Sequence, residues 1–206
     1  MNRLVVAAFI VFAPVAATAK GPIGIGDMKI GMSRAQVEAL PSDAPVHLTE
    51  PMSPYVYKNR KPTPGEDVFD TKLLTPWSDS PLKAVLTFSG GTLASVSVTL
   101  DDSANMANEI RGQIAAKYGA PRVQDDMKEE QCVYRNGANF KVKSGVVTYL
   151  WTEPSTDHAP IETSVLQASF ESCPSNLRYG SSGPLRLNAL SIGYEKPKEP
   201  DKTNPF

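Results

Sequence analysis

Residues 84–100 read AVLTFSGGTLASVSVTL, and this stretch decides the fold class. Ala84, Leu86 and Phe88 recur at every second position, and after Gly90-Gly91 so do Ala94, Val96, Val98 and Leu100. A period of two puts each set on one side of an extended strand. Gly90-Gly91 supplies a two-residue turn of positive φ, which glycine adopts without steric cost. The stretch therefore predicts a β-hairpin with one apolar face.

Beyond the hairpin, Asp101-Asp102-Ser103 opens a helix, with acidic charge at the favourable end of its dipole. Ala107, Ile110, Ile114 and Tyr118 share one helical face, and Gly119 with Pro121 closes the helix. Strands are then expected over 131–134, 139–142 and 146–151, with turns at Asn136-Gly137 and Ser144-Gly145, and two more over 165–171 and 187–194. Before the hairpin, Ser33 caps a short helix, Gln36 completes a capping box, and Met32 can staple onto Val37. Pro41 stops that helix after Leu40. Residues 41–81 carry eight of the eighteen prolines and predict a long irregular excursion, with one edge strand near Tyr55–Lys58. No strand–helix–strand alternation occurs, which disfavours a parallel sheet. The expected class is α+β: a mainly antiparallel sheet with one or two helices packed on one face.

Residues 1–19 have the layout of a cleavable signal peptide: Arg3, then the apolar run Leu4–Ala13, Pro14, and small residues at Ala17-Thr18-Ala19. Cleavage between Ala19 and Lys20 is expected. The apolar run is shorter than the roughly 20 residues a spanning helix needs, so no membrane span is expected. No cysteine lies near the junction, so no lipid anchor is expected either. Residues 20–195 then form a single α+β domain, with two degenerate helix-plus-sheet halves, 22–100 and 101–195, as the alternative reading. The polar, proline-bearing segment 196–206 reads as a flexible tail.

Removing residues 1–19 takes away one charged side chain, Arg3, and leaves 20 basic against 22 acidic residues. A near-neutral chain lacks the clustered cationic charge that nucleic acid and anionic membranes select. Cys132 and Cys173 are the only cysteines. In an exported chain an even pair reads as a disulfide, because that compartment oxidises thiols. His47 and His158 are the only histidines, neither is near a cysteine in sequence, and no metal-ligand spacing occurs.

Sequence patterns that resemble catalytic motifs do not hold together. Ser80-Pro81-Leu82-Lys83 matches an S-x-x-K nucleophile, but Lys83 leads into a strand where a helix is required. Gly24-Ile25-Gly26 is half of a dinucleotide loop, with Lys29 where the third glycine belongs. Gly180-Ser181-Ser182-Gly183 lacks the frame of a nucleophile elbow and reads as a turn. Asp125-Asp126 with Glu129-Glu130 lacks the spacing of a calcium loop and reads as a solvated face. No cofactor is expected. Tyr55, Tyr57 and Trp77, set among the prolines, are candidates for a binding surface, because desolvated aromatics serve as anchors; packing of the loop onto the sheet is the competing reading.

The opening Ile30-Gly31-Met32-Ser33-Arg34-Ala35-Gln36-Val37 is similar to the helix opening of small bacterial envelope proteins. These are the outer-membrane assembly lipoproteins of the SmpA/OmlA kind and the tandem folds resembling β-lactamase inhibitory protein. Lys117-Tyr118-Gly119-Ala120-Pro121 resembles a helix ending found in periplasmic proteins of proteobacteria. The resemblance implies helix on antiparallel sheet and a binding role. The chain departs from the lipoproteins in lacking a lipid-attachment cysteine, and no functional residue transfers. The expected function is an exported, non-catalytic binding or interaction module of the bacterial envelope, periplasmic or secreted, with an envelope protein or peptide as partner. The alternative is a periplasmic hydrolase whose site is assembled from distant residues.

Overall fold

The Gly-Gly hairpin forms between β6 (Ser78–Ser89) and β7 (Thr92–Thr99), with Ser89 opposite Thr92 and both glycines at positive φ. These features come from a computed structural model, which describes residues 21–57, 63–101, 104–173 and 184–195. The signal segment 1–19 with the Ala19–Lys20 junction, Asp102-Ser103, the turn at 180–183 and the tail 196–206 lie outside the described residues. One inward residue of the hairpin differs from the alternation: Leu93 is buried, and Ala94 is only half-buried. The register slips between Thr87–Ser95 and Phe88–Leu93, so Ala94 is the extra residue of a β-bulge.

Contrary to the sequence expectation, the proline-rich segment 41–81 is not irregular throughout. β5 (Glu66–Thr75) runs through it and pairs along β6, closing a second hairpin at Pro76-Trp77. Two of its buried positions are Thr71 and Thr75, so the apolar alternation that marks a half-buried strand is diluted. The Thr71 hydroxyl is satisfied by donating to the Glu50 carbonyl at 2.9 Å. The edge strand expected near Tyr55–Lys58 is β4, at Ser53–Pro54, beside a second short piece, β3 (His47–Leu48). The Tyr55 N–H extends the β4 pairing by one residue, donating to Val68 O at 2.9 Å; Lys58 lies outside the described residues.

After α2 (Ala104–Tyr118) come β8 (Arg122–Asp125), β9 (Lys128–Val133), β10 (Asn139–Glu153), β11 (Ile161–Phe170) and β12 (Leu185–Tyr194). Asn136-Gly137 is the expected turn, with Gly137 at φ 82°. Ser144-Gly145 is not a turn, because β10 passes straight through it. Gly145 sits at φ 147°, and a Cβ there would stand 2.4 Å from the Asp126 carbonyl oxygen. Glycine at 145 thus lets the bend at 126–127 lie against β10, so β8 and β9 pair with two halves of one strand.

Strands β3 to β12 form one antiparallel sheet in the order β3-β5-β6-β7-β12-β11-β10-β8, with β4 on β5 and β9 on β10. α1 (Arg34–Glu38) has the capping box: Gln36 N–H donates to Ser33 Oγ at 3.2 Å, and Ser33 N–H donates to Gln36 Oε1 at 2.8 Å. β1 (Gly24–Ile25) and β2 (Met28–Lys29) make a small hairpin turning at Gly26, so the glycines at 24 and 26 serve backbone geometry. The core gathers Met28 and Val37, alternate residues of β5–β7 and β11–β12, Trp151, and Ala107 and Ile110 of α2. α2 contacts β11 and β12, and it ends at Gly119 (φ 91°), whose carbonyl accepts from Trp151 Nε1 at 2.8 Å. Ile114 of the expected face is half-buried.

Cys132 of β9 and Cys173, just after β11, are joined in a disulfide with Cα atoms 5.5 Å apart.

Candidate functional site

Strand periodicity that sends Val96, Val98, Leu190 and Ile192 into the core sends the residues between them to the opposite side of the sheet. Those residues are small: Ser95 and Ser97 on β7, Ser191 and Gly193 on β12, with Ser164 on the adjoining β11. Together with Thr87 and Val85 of β6 they line a trough of about 750 Å³. Ligand pockets are commonly about 300–1,000 Å³.

The floor of the trough is the seam between β7 and β12, where Ser97 and Ser191 face each other with hydroxyl oxygens 2.9 Å apart. Next along the seam Ser95 faces Gly193, and a Cβ at Gly193 would stand 2.5 Å from Ser95 Cβ and 2.9 Å from Ala94 O. Glycine there keeps the two strands at pairing distance and the floor low. Tyr55 and Val68 form one wall, and the Tyr55 ring meets Tyr57 edge-on at 5.0 Å between centroids. The opposite wall carries Gln124 and the pair Arg122 Nη2–Glu162 Oε2, at 3.8 Å.

The three expected aromatics separate. Tyr55 lines the trough with Tyr57 against its ring, whereas Trp77 lines a different cleft, of about 170 Å³, beside α2. There its Nε1 donates to Gln113 Oε1 at 3.1 Å. Both histidines bond nearby carbonyls: His47 Nδ1 to Ala44 O at 2.8 Å, and His158 Nδ1 to Ala159 O at 2.9 Å. The His158 ring also packs edge-on against Tyr194 at 5.0 Å. Ser80 and Lys83 lie on β6, and Ser80 N–H donates to Ser78 Oγ at 3.2 Å. In the acidic run, Glu129 pairs with Lys141 across the β9–β10 ribbon at 2.6 Å, with Lys143 at 4.0 Å. The Lys141 hydrogen bond and charge hold the Glu129 carboxyl below its ordinary value and raise the Lys141 amine. Among the described residues no group of three or more histidine, cysteine or acidic side chains could hold a metal ion. No helix among them is long and apolar enough to cross a membrane.

Sequence reasoning missed the trough serines, although a signal for them was present. In 94–98 (ASVSV) and 190–193 (LSIG) the outward phase is serine or glycine, where a solvated strand face ordinarily shows charged or long polar side chains. Comparison of the chain with family models, curated proteins and solved structures finds no match.

Proposed function

We propose that the chain is an exported, non-catalytic binding module of the bacterial envelope, and that the hydroxyl-lined trough is its binding site. One observation carries this reading: four serines, a threonine and a glycine converge on a concave surface, on the sheet face opposite the buried Val98 and Leu190. The hydrolase alternative needs a nucleophile in hydrogen-bond reach of a base. Ser97 and Ser191 bond each other, and both histidines bond loop carbonyls, which supports binding over hydrolysis.

Export draws support from the Cys132–Cys173 bridge, since such bonds persist in oxidising compartments. It also draws support from Gly21, whose N–H donates to Glu153 Oε2 at 3.0 Å, and from Pro22, whose carbonyl accepts from Thr163 Oγ1 at 3.1 Å. The chain is thus fastened to the sheet immediately after the expected Ala19–Lys20 junction. We read the domain as two degenerate halves, 22–100 and 101–195, with their helices on one face and the trough on the other. In support, a helix precedes the antiparallel strands of the sheet in each half, in the first after the β1–β2 hairpin, and the last strand of each, β7 and β12, meet at the centre of the sheet. That arrangement is in keeping with the resemblance to SmpA/OmlA lipoproteins and β-lactamase inhibitory protein-like folds.

The test immobilises the mature protein, exposes it to envelope extract, and reads captured material of any chemistry by mass spectrometry. Ser164→Phe, which fills the trough, should abolish capture while leaving the melting temperature within a few degrees. Undiminished capture would remove the trough from the proposal. N-terminal sequencing of the secreted or periplasmic product should begin at Lys20, and a retained Met1 would refute export by cleavage.

A further inference from the structure

We infer that the trough binds a neutral oligosaccharide; this rests on the trough being the binding site. The chemistry of the floor and walls selects the ligand. Serine and threonine hydroxyls each donate once and accept twice, so a floor of them complements a ligand that likewise both donates and accepts at many points. Sugars carry such hydroxyls around the ring, together with apolar C–H faces. Tyr55, beside Val68 and Val85, offers a ring and an apolar wall on which such a face can lie. Across the trough Arg122, Glu162 and Gln124 present planar groups able to engage neighbouring hydroxyls through paired hydrogen bonds.

Charge and backbone disfavour the other broad classes. Arg122 is the one cation of the described lining, against Glu162 and Glu195, and it already faces Glu162 at 3.8 Å. A phosphorylated or otherwise anionic ligand would meet a surplus of negative charge. A peptide that binds by adding a strand needs a free sheet edge. The floor strands β7 and β12 are interior, each paired on both sides, so their backbone groups are committed to the sheet. A folded protein partner would be expected to meet an aromatic- and arginine-rich centre, whereas serine is depleted in interface cores. Here the centre is serine and the aromatic lies at the rim.

The experiment titrates the mature, disulfide-bonded protein with maltotriose, cellotriose and N,N′,N″-triacetylchitotriose, and with a sulfated trisaccharide as anionic control. Binding is followed through amide shifts of Thr87, Ser95, Ser97, Ser164 and Ser191. At least one neutral trisaccharide should shift these amides in the millimolar range or tighter, and the sulfated one should not. Tyr55→Ala should weaken binding roughly tenfold, and Ser164→Phe should abolish it. If Ser164→Phe proves unstable, the Tyr55→Ala ratio alone decides, because that side chain sits at the rim. Equal or tighter binding of the sulfated sugar overturns the inference. So does the absence of any neutral-sugar response in a protein that captures envelope material only while its trough is open; that outcome removes the ligand class and keeps the site. If capture from extract is indifferent to Ser164→Phe, the site falls as well.

Discussion

Replacing both cysteines, Cys132→Ala with Cys173→Ala, removes a cross-link between the β9–β10 ribbon and the chain leaving β11. The two positions are 41 residues apart, and the loop they close costs the unfolded chain on the order of 4 kcal/mol of conformational freedom. For a chain of this size each kcal/mol corresponds to roughly 2–4 °C in melting temperature. The double variant should therefore melt roughly 8–16 °C lower, with little loss of packing, since only Cys132 of the pair is fully buried. Scanning calorimetry of oxidised wild type and variant at the same pH measures the difference. Amide exchange over Lys128–Val133 then shows whether the ribbon opens with the domain or before it. The full shift is expected when the ribbon and the sheet unfold together. A fall of less than about 2 °C would refute it, because a bridge that closes a loop of this length in the unfolded chain cannot be removed so cheaply. Rapid exchange of β9 beside an unchanged transition would point to the same failure, with the ribbon as a separately melting unit.

Ile110→Ala should cost roughly 2–5 kcal/mol in urea unfolding, since this side chain is fully buried; Ile114→Ala, at a half-buried position, should cost clearly less, and equal losses would contradict the observed helix orientation. Gly145→Ala should destabilise by about 1–3 kcal/mol, because its Cβ would meet the Asp126 backbone at an unfavourable φ; a neutral effect would mean that β10 is broken there after all. Glu129 should titrate below ordinary glutamates in NMR and return toward them in Lys141→Met. Its folded-state value is the lowered one, so its small contribution to stability is present above the unfolded value and fades as pH falls through the folded value. An unchanged Glu129 midpoint in Lys141→Met would place the shift on another cause.

What the sequence revealed and concealed follows from how each element announces itself. The Gly90-Gly91 hairpin, the Ser33–Gln36 capping box and the Gly119 helix end are local, each fixed by residues within a few positions of one another. β5 was hidden because its buried side carries Thr71 and Thr75, whose hydroxyls interrupt the apolar pattern, and because Pro64 and Pro76 suggested irregularity. Those prolines bracket the strand and do not interrupt it. Gly145 misled for a related reason: glycine serves a turn and a close approach of two backbones equally well, and only the position of Asp126 separates them. The trough was concealed differently. It joins β6, β7, β11 and β12, whose adjacency is a property of sheet order, and 94 residues separate Ser97 from Ser191.

The composition of the open face is hard to explain as the mere outside of a sheet. An uncovered face ordinarily gains solubility from long charged side chains, and this chain has them close by: Lys72, Lys83 and Glu50 line a neighbouring hollow of about 390 Å³. At the centre they give way to Ser95, Ser97, Ser164, Ser191 and Gly193. Serine is not among the strongly strand-forming residues and glycine is a poor one; glycine at 193 weakens the strand further because it has no side chain to pack. A cross-strand hydroxyl pair returns only about 0.2–1 kcal/mol. Stability alone would favour valine or threonine at Ser97 and Ser191, where β-branched side chains would cover the seam. Retaining small hydroxyls keeps the surface concave and its hydrogen-bonding groups within reach of a ligand. Ser97→Val with Ser191→Val should leave stability equal or higher and remove sugar binding. A variant that is less stable and still binds would mean that the serines serve the fold, and that the trough is an accident of packing.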